Sequence, residues 1–299
     1  MDMQIEGIWS TGYRTKLFQI AREMMELPGL RSLIRPLYRR YFRRPYPHGN
    51  LYYGVYDSYS QAQQQARLFS SSRLPDSYDV EAAGELYRGQ LQRLRICDYA
   101  AMFWLERAMA GGARKVLDLG GHIGLAYYAF GRYLDLPEDL DWCVHDVERV
   151  MAVGQQWAQE HDEHGRLRFT ADVLEADGSD FLLSSGALQY LDYSLPELLA
   201  RLRRPPAGVL FNLTPMHPLE SYFTLQNLGI AVCPYRISGI PQMLAEMEQL
   251  GYLVRDRWDL PERHLRIPFE PQCAIDRYYG FYFQRTAAPG PELTSSHKP

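Results

Sequence analysis

The segment 116–124, VLDLGGHIG, constrains the fold more than any other part of the chain. Its apolar run is too short for a helix and closes on two adjacent glycines. This pattern is typical of a buried parallel strand that ends in a tight turn. Because glycine lets the backbone approach a ligand closely, we expect a ligand at this turn.

Asp118 distinguishes this turn from a nicotinamide-binding one. It stands two residues before Gly120, where a dinucleotide fingerprint would begin its own G-x-G-x-x-G. A carboxylate there would repel a pyrophosphate, but it could accept hydrogen bonds from a cationic amino acid such as the methionine part of S-adenosylmethionine. The pattern resembles motif I of class I S-adenosylmethionine-dependent methyltransferases. The resemblance implies cofactor contacts at Asp118, Gly120, Gly121 and Gly124.

Composition points to a globular protein whose partner is a small molecule. The chain has 299 residues, 46% of them hydrophobic and 23% charged, and a net charge of −4 offers no global field for nucleic acid. Its four cysteines form no C-x-x-C pair, which disfavours a zinc site and a disulfide framework. No apolar run approaches membrane-spanning length and the first residues lack the form of a secretory signal, so we expect a cytoplasmic protein.

From about residue 115 onward, short apolar runs alternate with helical patterns. This alternation predicts βαβ units with a parallel sheet, an α/β, Rossmann-like fold. The runs 252–256 and 280–284 have no helix between them and predict an antiparallel hairpin at one edge. We therefore expect a helical N-terminal extension or cap over 1–75, a catalytic domain over 76–285 and a disordered tail over 286–299.

Polar residues recur where the predicted strands end, which is where open parallel sheets bind ligands. Asp146 follows the second strand and could accept both ribose hydroxyls of a nucleoside. Asp172 and Val173 follow the third strand, at the position for an adenine amino group and an adenine face, and Ser184 ends the fourth. Each acid alone also fits a loop cap, so it is their recurrence that favours a cofactor site.

A narrower resemblance covers residues 50–285. The segments that carry it are, in order, LYYGVYDSYSQA, VLDLGGHIG, HDVERV, SGALQYLD, LFNLTP, FTLQN and YYGFYFQR. Together they resemble a family of bacterial proteins classed as S-adenosylmethionine-dependent methyltransferases, commonly encoded in polysaccharide and natural-product gene clusters. The resemblance implies a seven-stranded methyltransferase sheet and S-adenosylmethionine as cofactor, and it leaves the acceptor open. One departure is His122, at the middle glycine of the superfamily pattern D-x-G-x-G-x-G, where a side chain could crowd the cofactor or point into solvent.

Methyl transfer to oxygen or nitrogen is an in-line displacement, so the site must mainly position the acceptor atom. His217, in NLTPMHP directly after the fifth predicted strand, 208–213, is the best candidate for a general base, although a structural hydrogen-bond role is equally in keeping with its position. Candidate acceptor-binding residues are Tyr56 from the tyrosine-rich segment 51–59, together with Gln189, Tyr190, Thr214, Gln226 and Arg236. Arg236 would matter for an acceptor that carries a carboxylate or a phosphate.

Two further segments permit other interpretations. Residues 31–44 contain six arginines and no acid, interleaved with apolar residues. They predict a basic amphipathic helix that could contact anionic lipid or a polyanionic substrate, and we favour the simpler interpretation of a solvated face whose apolar side packs inward. The HDEH sequence at 161–164 suggests a metal site, but adjacent residues of a helix point in different directions, so we expect no metal.

The preferred hypothesis is methyl transfer from S-adenosylmethionine to an O or N atom of a small polar metabolite or saccharide. A non-catalytic protein that binds S-adenosylmethionine is the first alternative, and an NAD-type oxidoreductase is the second. Asp118 and the missing G-x-G-x-x-G speak against the second. The sequence leaves the oligomeric state open, and a homodimer is among the arrangements it allows.

Overall fold

The computed structural model describes residues 30–45, 50–80, 83, 91 and 93–286, and the chain divides into two compact units. The first unit runs to Tyr78 and also takes in Tyr222–Tyr235 and His264–Ile275. The second unit contains Asp79–Ser221, Arg236–Arg263 and the chain from Asp276. The sequence analysis had set the boundary at residue 75 and had assigned the two returning segments to the catalytic domain. Apart from residue 286, the predicted tail lies outside the described residues.

In the first unit the elements are α1 (Arg31–Phe42), β1 (Leu51–Tyr56), α2 (Tyr59–Phe69), β7 (Tyr222–Asn227) and the first half of β8 (Val232–Gly239). In the second unit they are α3 (Asp98–Ala110), β2 (Lys115–Leu119), α4 (Leu125–Phe130), β3 (Asp141–His145), α5 (Glu148–His161), β4 (Leu167–Phe169), β5 (Phe181–Ser185), α6 (Leu195–Ala200), β6 (Gly208–His217), the end of β8, α7 (Ile240–Gln249), β9 (Tyr252–Leu260) and β10 (Tyr278–Arg285). Short 3₁₀ turns lie at Val173–Ala176, Leu188–Tyr190 and Pro271–Cys273.

The first unit packs α1 and α2 beside the antiparallel pair of β1 and β7. Ser58 caps α2 by accepting a hydrogen bond from the Gln61 backbone N–H. Ala62 and Ala66, one helical turn apart, are both fully buried in the core of this unit. The predicted basic helix is present as α1, with Phe42 buried in the same core.

The second unit contains a seven-stranded sheet in the order β4-β3-β2-β5-β6-β10-β9. Neighbouring strands from β4 to β6 pair in parallel, while β10 runs antiparallel to both β6 and β9. The predicted fold is thereby confirmed: a Rossmann-like, mostly parallel seven-stranded sheet that closes with an antiparallel hairpin. Within the described part of the chain, no helix combines the length and the apolar character needed to cross a bilayer.

Side chains alternate between the two faces of this sheet and build one hydrophobic cluster on each. In β2, Leu117 and Leu119 belong to the cluster that includes α6 and α7, whereas Val116 belongs to the cluster with α3 and α4. This alternation follows the two-residue period of a strand. It also places Asp118 on the face of Val116, because their positions differ by two.

Strand β6 is longer than the sequence predicts and changes partners along its length. Its pairing with β5 ends at Asn212, and at its far end Met216 and His217 pair with β8 instead. Between these pairings Leu213 has a φ of 53°, in the left-handed region. The expectation that the strand ends at residue 213 and that His217 follows it was therefore wrong. His217 is the last residue of β6, because β8 supplies a second partner where β5 ends.

Candidate functional site

The glycine turn after β2 has the conformation that its sequence predicts. Gly120 and Gly124 have φ values of 74° and 89°, which favour glycine. A Cβ atom on residue 120 would overlap the Cβ of Ala187, which follows β5. The loops after β2 and β5 therefore touch at the point where the strand order reverses, and this switch point is where open α/β sheets bind ligands.

Asp118 lies beneath this turn. Its side chain is only 1% exposed, and a Cβ on Gly121 would lie 2.5 Å from the carboxyl carbon. Trp142 Nε1 donates a hydrogen bond to Asp118 Oδ2 at 3.2 Å. Burial, partly offset by this bond, raises the pKa of Asp118 to about 7. Asp118 therefore supports the turn from below and titrates near neutral pH.

Asp146, after β3, binds the same turn from the side. Its Oδ2 accepts the His122 backbone N–H at 2.8 Å, and its Oδ1 accepts the Val147 N–H at 2.7 Å. Burial raises the pKa of Asp146, although the nearby His122 ring and both N–H groups act in the opposite direction. The carboxylate predicted to hold a ribose thus also fixes the glycine turn.

The His122 side chain does not point into solvent. Its φ of 57° is left-handed, its ring is buried, and Nε2 lies 2.9 Å from the backbone oxygen of Ala83. Burial lowers the pKa of His122, which keeps the ring neutral at pH 7. The structure therefore excludes the solvent-exposed alternative for this departure from the glycine pattern.

Of the remaining predicted cofactor residues, Asp172 and Val173 follow β4 and Ser184 lies near the end of β5, and the polar side chains of Asp172 and Ser184 already have backbone partners. Asp172 Oδ1 accepts the Leu174 backbone N–H at 2.9 Å and so caps the 3₁₀ turn that begins at Val173. Ser184 is fully buried and donates to the Leu119 backbone oxygen at 2.9 Å. Their contact with a cofactor stays a prediction.

Gln189 presents an acceptor for which the structure provides no partner. Its Nε2 donates to the Gly186 backbone oxygen at 2.6 Å, while its Oε1 is buried and has no hydrogen-bond partner among the described residues. Leaving a buried acceptor unsatisfied costs about 1–3 kcal/mol. An N–H or O–H group of a ligand would recover that cost.

At the end of β6, His217 is buried and its Nδ1 accepts two backbone N–H groups, from Leu219 at 3.3 Å and Glu220 at 3.2 Å. A neutral ring with Nδ1 as acceptor carries its proton on Nε2. Thr214, also buried, donates to the Asn212 backbone oxygen at 3.3 Å. His217 is therefore held by β6 and the turn that follows.

The other residues predicted to bind the methyl acceptor are divided between the two units. Arg236 donates to the Asp192 backbone oxygen at 3.3 Å and, like Tyr190, belongs to the second unit. Tyr56 and Gln226 belong to the first unit, where Gln226 donates to the Tyr52 hydroxyl at 3.0 Å. Roles for all four in acceptor binding stay predictions.

Sequence reasoning missed the residues that position this site. Trp142 holds Asp118, and Ala187 faces Gly120. Neither carries a local signal, because each acts through a contact between distant strands. Among the described residues, no three potential ligand side chains converge as a metal site requires. The His161 ring of the HDEH sequence stacks on Trp157, with ring centroids 3.7 Å apart.

No protein-family model matches this chain, and no curated protein matches it. Solved structures with a similar arrangement include the CcbJ methyltransferase of Streptomyces caelestis, with 12% identity and a TM-score of 0.39 over 64% of this chain and 90% of that chain. Another is the 1,6-didemethyltoxoflavin-N1-methyltransferase of Burkholderia thailandensis, with 20% identity and a TM-score of 0.41 over 64% and 80%. A third is the magnesium protoporphyrin IX methyltransferase ChlM of Synechocystis PCC 6803, with 12% identity and a TM-score of 0.41 over 90% and 96%. Similarity at this level identifies no family, so the fold assignment rests on the strand order itself.

We predict that Gly120→Ala destabilises the protein by on the order of 2–5 kcal/mol, because it combines left-handed strain with overlap against Ala187. Adding Ala187→Gly should recover the part due to overlap, which a double-mutant cycle in urea would measure. Gly165→Ala is the control for strain alone, since its φ is 63° and nothing lies near its Cβ. Additive effects at 120 and 187 would contradict the proposed contact.

A second prediction concerns the pH dependence of stability. Between pH 4 and 7 an unfolded chain ionises Asp118 whereas the folded protein keeps it protonated, so this residue lowers stability as pH rises toward its folded pKa of about 7. Asp118→Asn is neutral throughout. We expect its free energy of unfolding, relative to the wild type, to increase from pH 4 to 7 and then level off. A difference that stays constant from pH 4 to 8 would show that Asp118 is not buried in this way.

Proposed function

We propose that the second unit binds S-adenosylmethionine and transfers its methyl group to an O or N atom of a small polar metabolite or saccharide-type acceptor. The observation that carries the proposal is the turn between β2 and α4. It lies at the switch point of a methyltransferase-type sheet, with Asp118 beneath it and Asp146 bonded to its backbone. A phosphate-binding turn would not be expected to hold a carboxylate such as Asp118 directly beneath it.

The hydrogen-bond acceptors at this turn suit S-adenosylmethionine. Each oxygen of Asp146 accepts one backbone N–H group and keeps a second lone pair, so the same carboxylate can accept the two ribose hydroxyls. The buried, unsatisfied Oε1 of Gln189 adds an acceptor on the loop after β5. Acceptor atoms fit the ammonium and hydroxyl groups of S-adenosylmethionine, which are donors. We propose that Asp118, Gly120, Gly121, Gly124, Asp146, Asp172, Val173 and Ser184 form the cofactor site.

When bound, S-adenosylmethionine supplies an electrophilic methyl group on a sulfonium. The task of the protein is then to hold the acceptor atom about 3 to 3.5 Å from that carbon, in line with the breaking bond. We propose that Gln189, Tyr190, Thr214 and Arg236, all in the second unit, orient a polar acceptor through hydrogen bonds. The thioether leaving group departs without a proton, while the methylated O–H or N–H group loses its own proton to a base or to water.

His217 is the candidate general base, and its hydrogen bonds determine which ring nitrogen carries the proton. The lone pair of Nδ1 is already shared by the N–H groups of Leu219 and Glu220. To accept a proton at Nε2 the ring must adopt the other tautomer, which gives up both bonds. The alternative is that Nε2–H donates a hydrogen bond to the acceptor and holds it in place.

Calorimetric titration with S-adenosylhomocysteine tests the cofactor site. Asp146→Ala should weaken binding by about 10- to 100-fold, since charge-assisted hydrogen bonds to the ribose are lost. Asp180→Ala is the matched control. Asp180 Oδ2 also accepts two backbone N–H groups, from Arg114 and Lys115, but at the opposite end of β2. Equal loss in both variants, or tighter binding of NAD than of S-adenosylhomocysteine, would overturn the proposal.

A pair of substitutions separates the two roles of His217. Asn carries an amide oxygen near the position of Nδ1 and can keep the turn, whereas Gln places its polar group near Nε2. If His217 is a base, both variants should lower turnover by about 10²- to 10⁴-fold while leaving cofactor affinity unchanged. If it is a donor, His217→Gln should retain most of the activity. Release of S-adenosylhomocysteine with a panel of sugars, amino acids and amides provides the measurement, and full activity of His217→Asn would remove this residue from the reaction.

A further inference from the structure

The first unit contains a cavity of about 470 Å³ that the proposed methyl transfer does not use. Helix α1 contributes Arg35 and Arg39 to its wall, and β1 contributes Tyr53 and Tyr56. Glu270 and Gln272 form the opposite side. Most of these side chains are hydrogen-bond donors, and two of them are cations.

The two cations belong to a row of arginines spaced four residues apart. Arg31, Arg35 and Arg39 lie on α1, and Arg43 follows its last residue. Arg31 and Arg35 share one carboxylate, Glu270, at 3.2 and 3.6 Å. The guanidinium groups of Arg39 and Arg43 lie over the ring of Phe69, 5.4 and 5.7 Å from its centroid. Like charges at this spacing repel one another on a helix. Within the described part of the chain no carboxylate forms an ion pair with Arg39, so the cavity has an excess of positive charge.

A β-bulge turns a hydroxyl toward the same space. Gly54 has a φ of 73°, and the pairing of β1 with β7 shifts register between Tyr53 and Tyr56. A Cβ on residue 54 would lie 2.5 Å from the Tyr56 hydroxyl, so only glycine lets this ring fold back over the strand. Burial raises the pKa of Tyr56 to about 12, which keeps the hydroxyl protonated and able to donate.

The negative charge of Glu270 is already balanced inside the wall. Arg31 and Arg35 both pair with its Oε1, and Gln272 Nε2 donates to its Oε2 at 3.2 Å. Arg39 and Tyr56 are then the donors available to an incoming group. They stand on different elements, so they can approach the oxygens of a tetrahedral anion from more than one side.

We propose that this cavity binds the phosphate group of a small phosphorylated molecule, with Arg39 as its principal cation and the Tyr56 hydroxyl as a second donor. The ring of Tyr53, which is half-buried, lines the cavity and offers an aromatic contact to the organic part of such a ligand. Tyr53 is held in place, since its ring stacks on that of Tyr38 with centroids 6.2 Å apart. This site stands independently of the proposed methyl transfer.

Titration calorimetry of the full chain, without S-adenosylmethionine, tests the proposal with glucose 6-phosphate as probe and glucose as the uncharged comparison. We expect glucose 6-phosphate to bind, inorganic phosphate to compete with it, and glucose to give no binding. Arg39→Gln should weaken binding about tenfold or more, and Tyr56→Phe should weaken it several-fold.

Arg40→Gln is the matched control, because Arg40 is the next residue of α1, is exposed and does not line the cavity. It removes the same charge and should change the affinity by less than about twofold. Equal weakening by Arg39→Gln and Arg40→Gln would indicate general attraction to a basic helix and would overturn the site. Absence of binding by glucose 6-phosphate at about 10 mM would also overturn it, since a guanidinium–phosphate contact would give a measurable signal there.

Discussion

The second unit depends on two buried carboxylates that hold one backbone turn. Asp118 lies under Gly121, and Asp146 accepts the N–H of His122, so the turn is fixed from below and from the side. The arrangement has an electrostatic cost, because burial raises the pKa of both acids. A ligand that donates hydrogen bonds or carries positive charge would offset this cost, which is why the same feature supports the turn and the proposed cofactor site.

The sheet brings the candidate residues to one edge. Parallel pairing from β4 to β6 aligns the carboxyl ends of these strands, so Asp146, Ser184 and the glycine turn follow neighbouring strands. Beyond Asn212, β6 separates from β5 and continues to His217 beside β8. The position of the candidate base is thus set by a change of strand partner, and its tautomer by the two N–H groups that follow it.

In the first unit, buried polar side chains interrupt the apolar pattern of β7. Asn227 donates to the backbone oxygens of Phe42 and Arg44, at 2.6 and 2.8 Å, from a fully buried position in β7. Such internal partners explain why β7 was not predicted: its buried polar residues Thr224, Gln226 and Asn227 remove the alternation by which strands are identified. The arginines of α1 differ, since a single carboxylate serves two of them and Arg39 faces a cavity.

The sequence by itself determined the βαβ order, the closing hairpin and the glycine turn after the first core strand, because strand period and glycine's backbone freedom act over a few residues. It also located the polar residues at the strand ends. Only the tertiary structure decided which distant groups those residues contact: Ser184 donates to Leu119, the buried His122 ring lies against Ala83, and β8 extends β6 to His217. It likewise decided that 222–235 and 264–275 return to the first unit. These outcomes depend on contacts between segments far apart in the chain, and no local pattern of residues encodes such contacts.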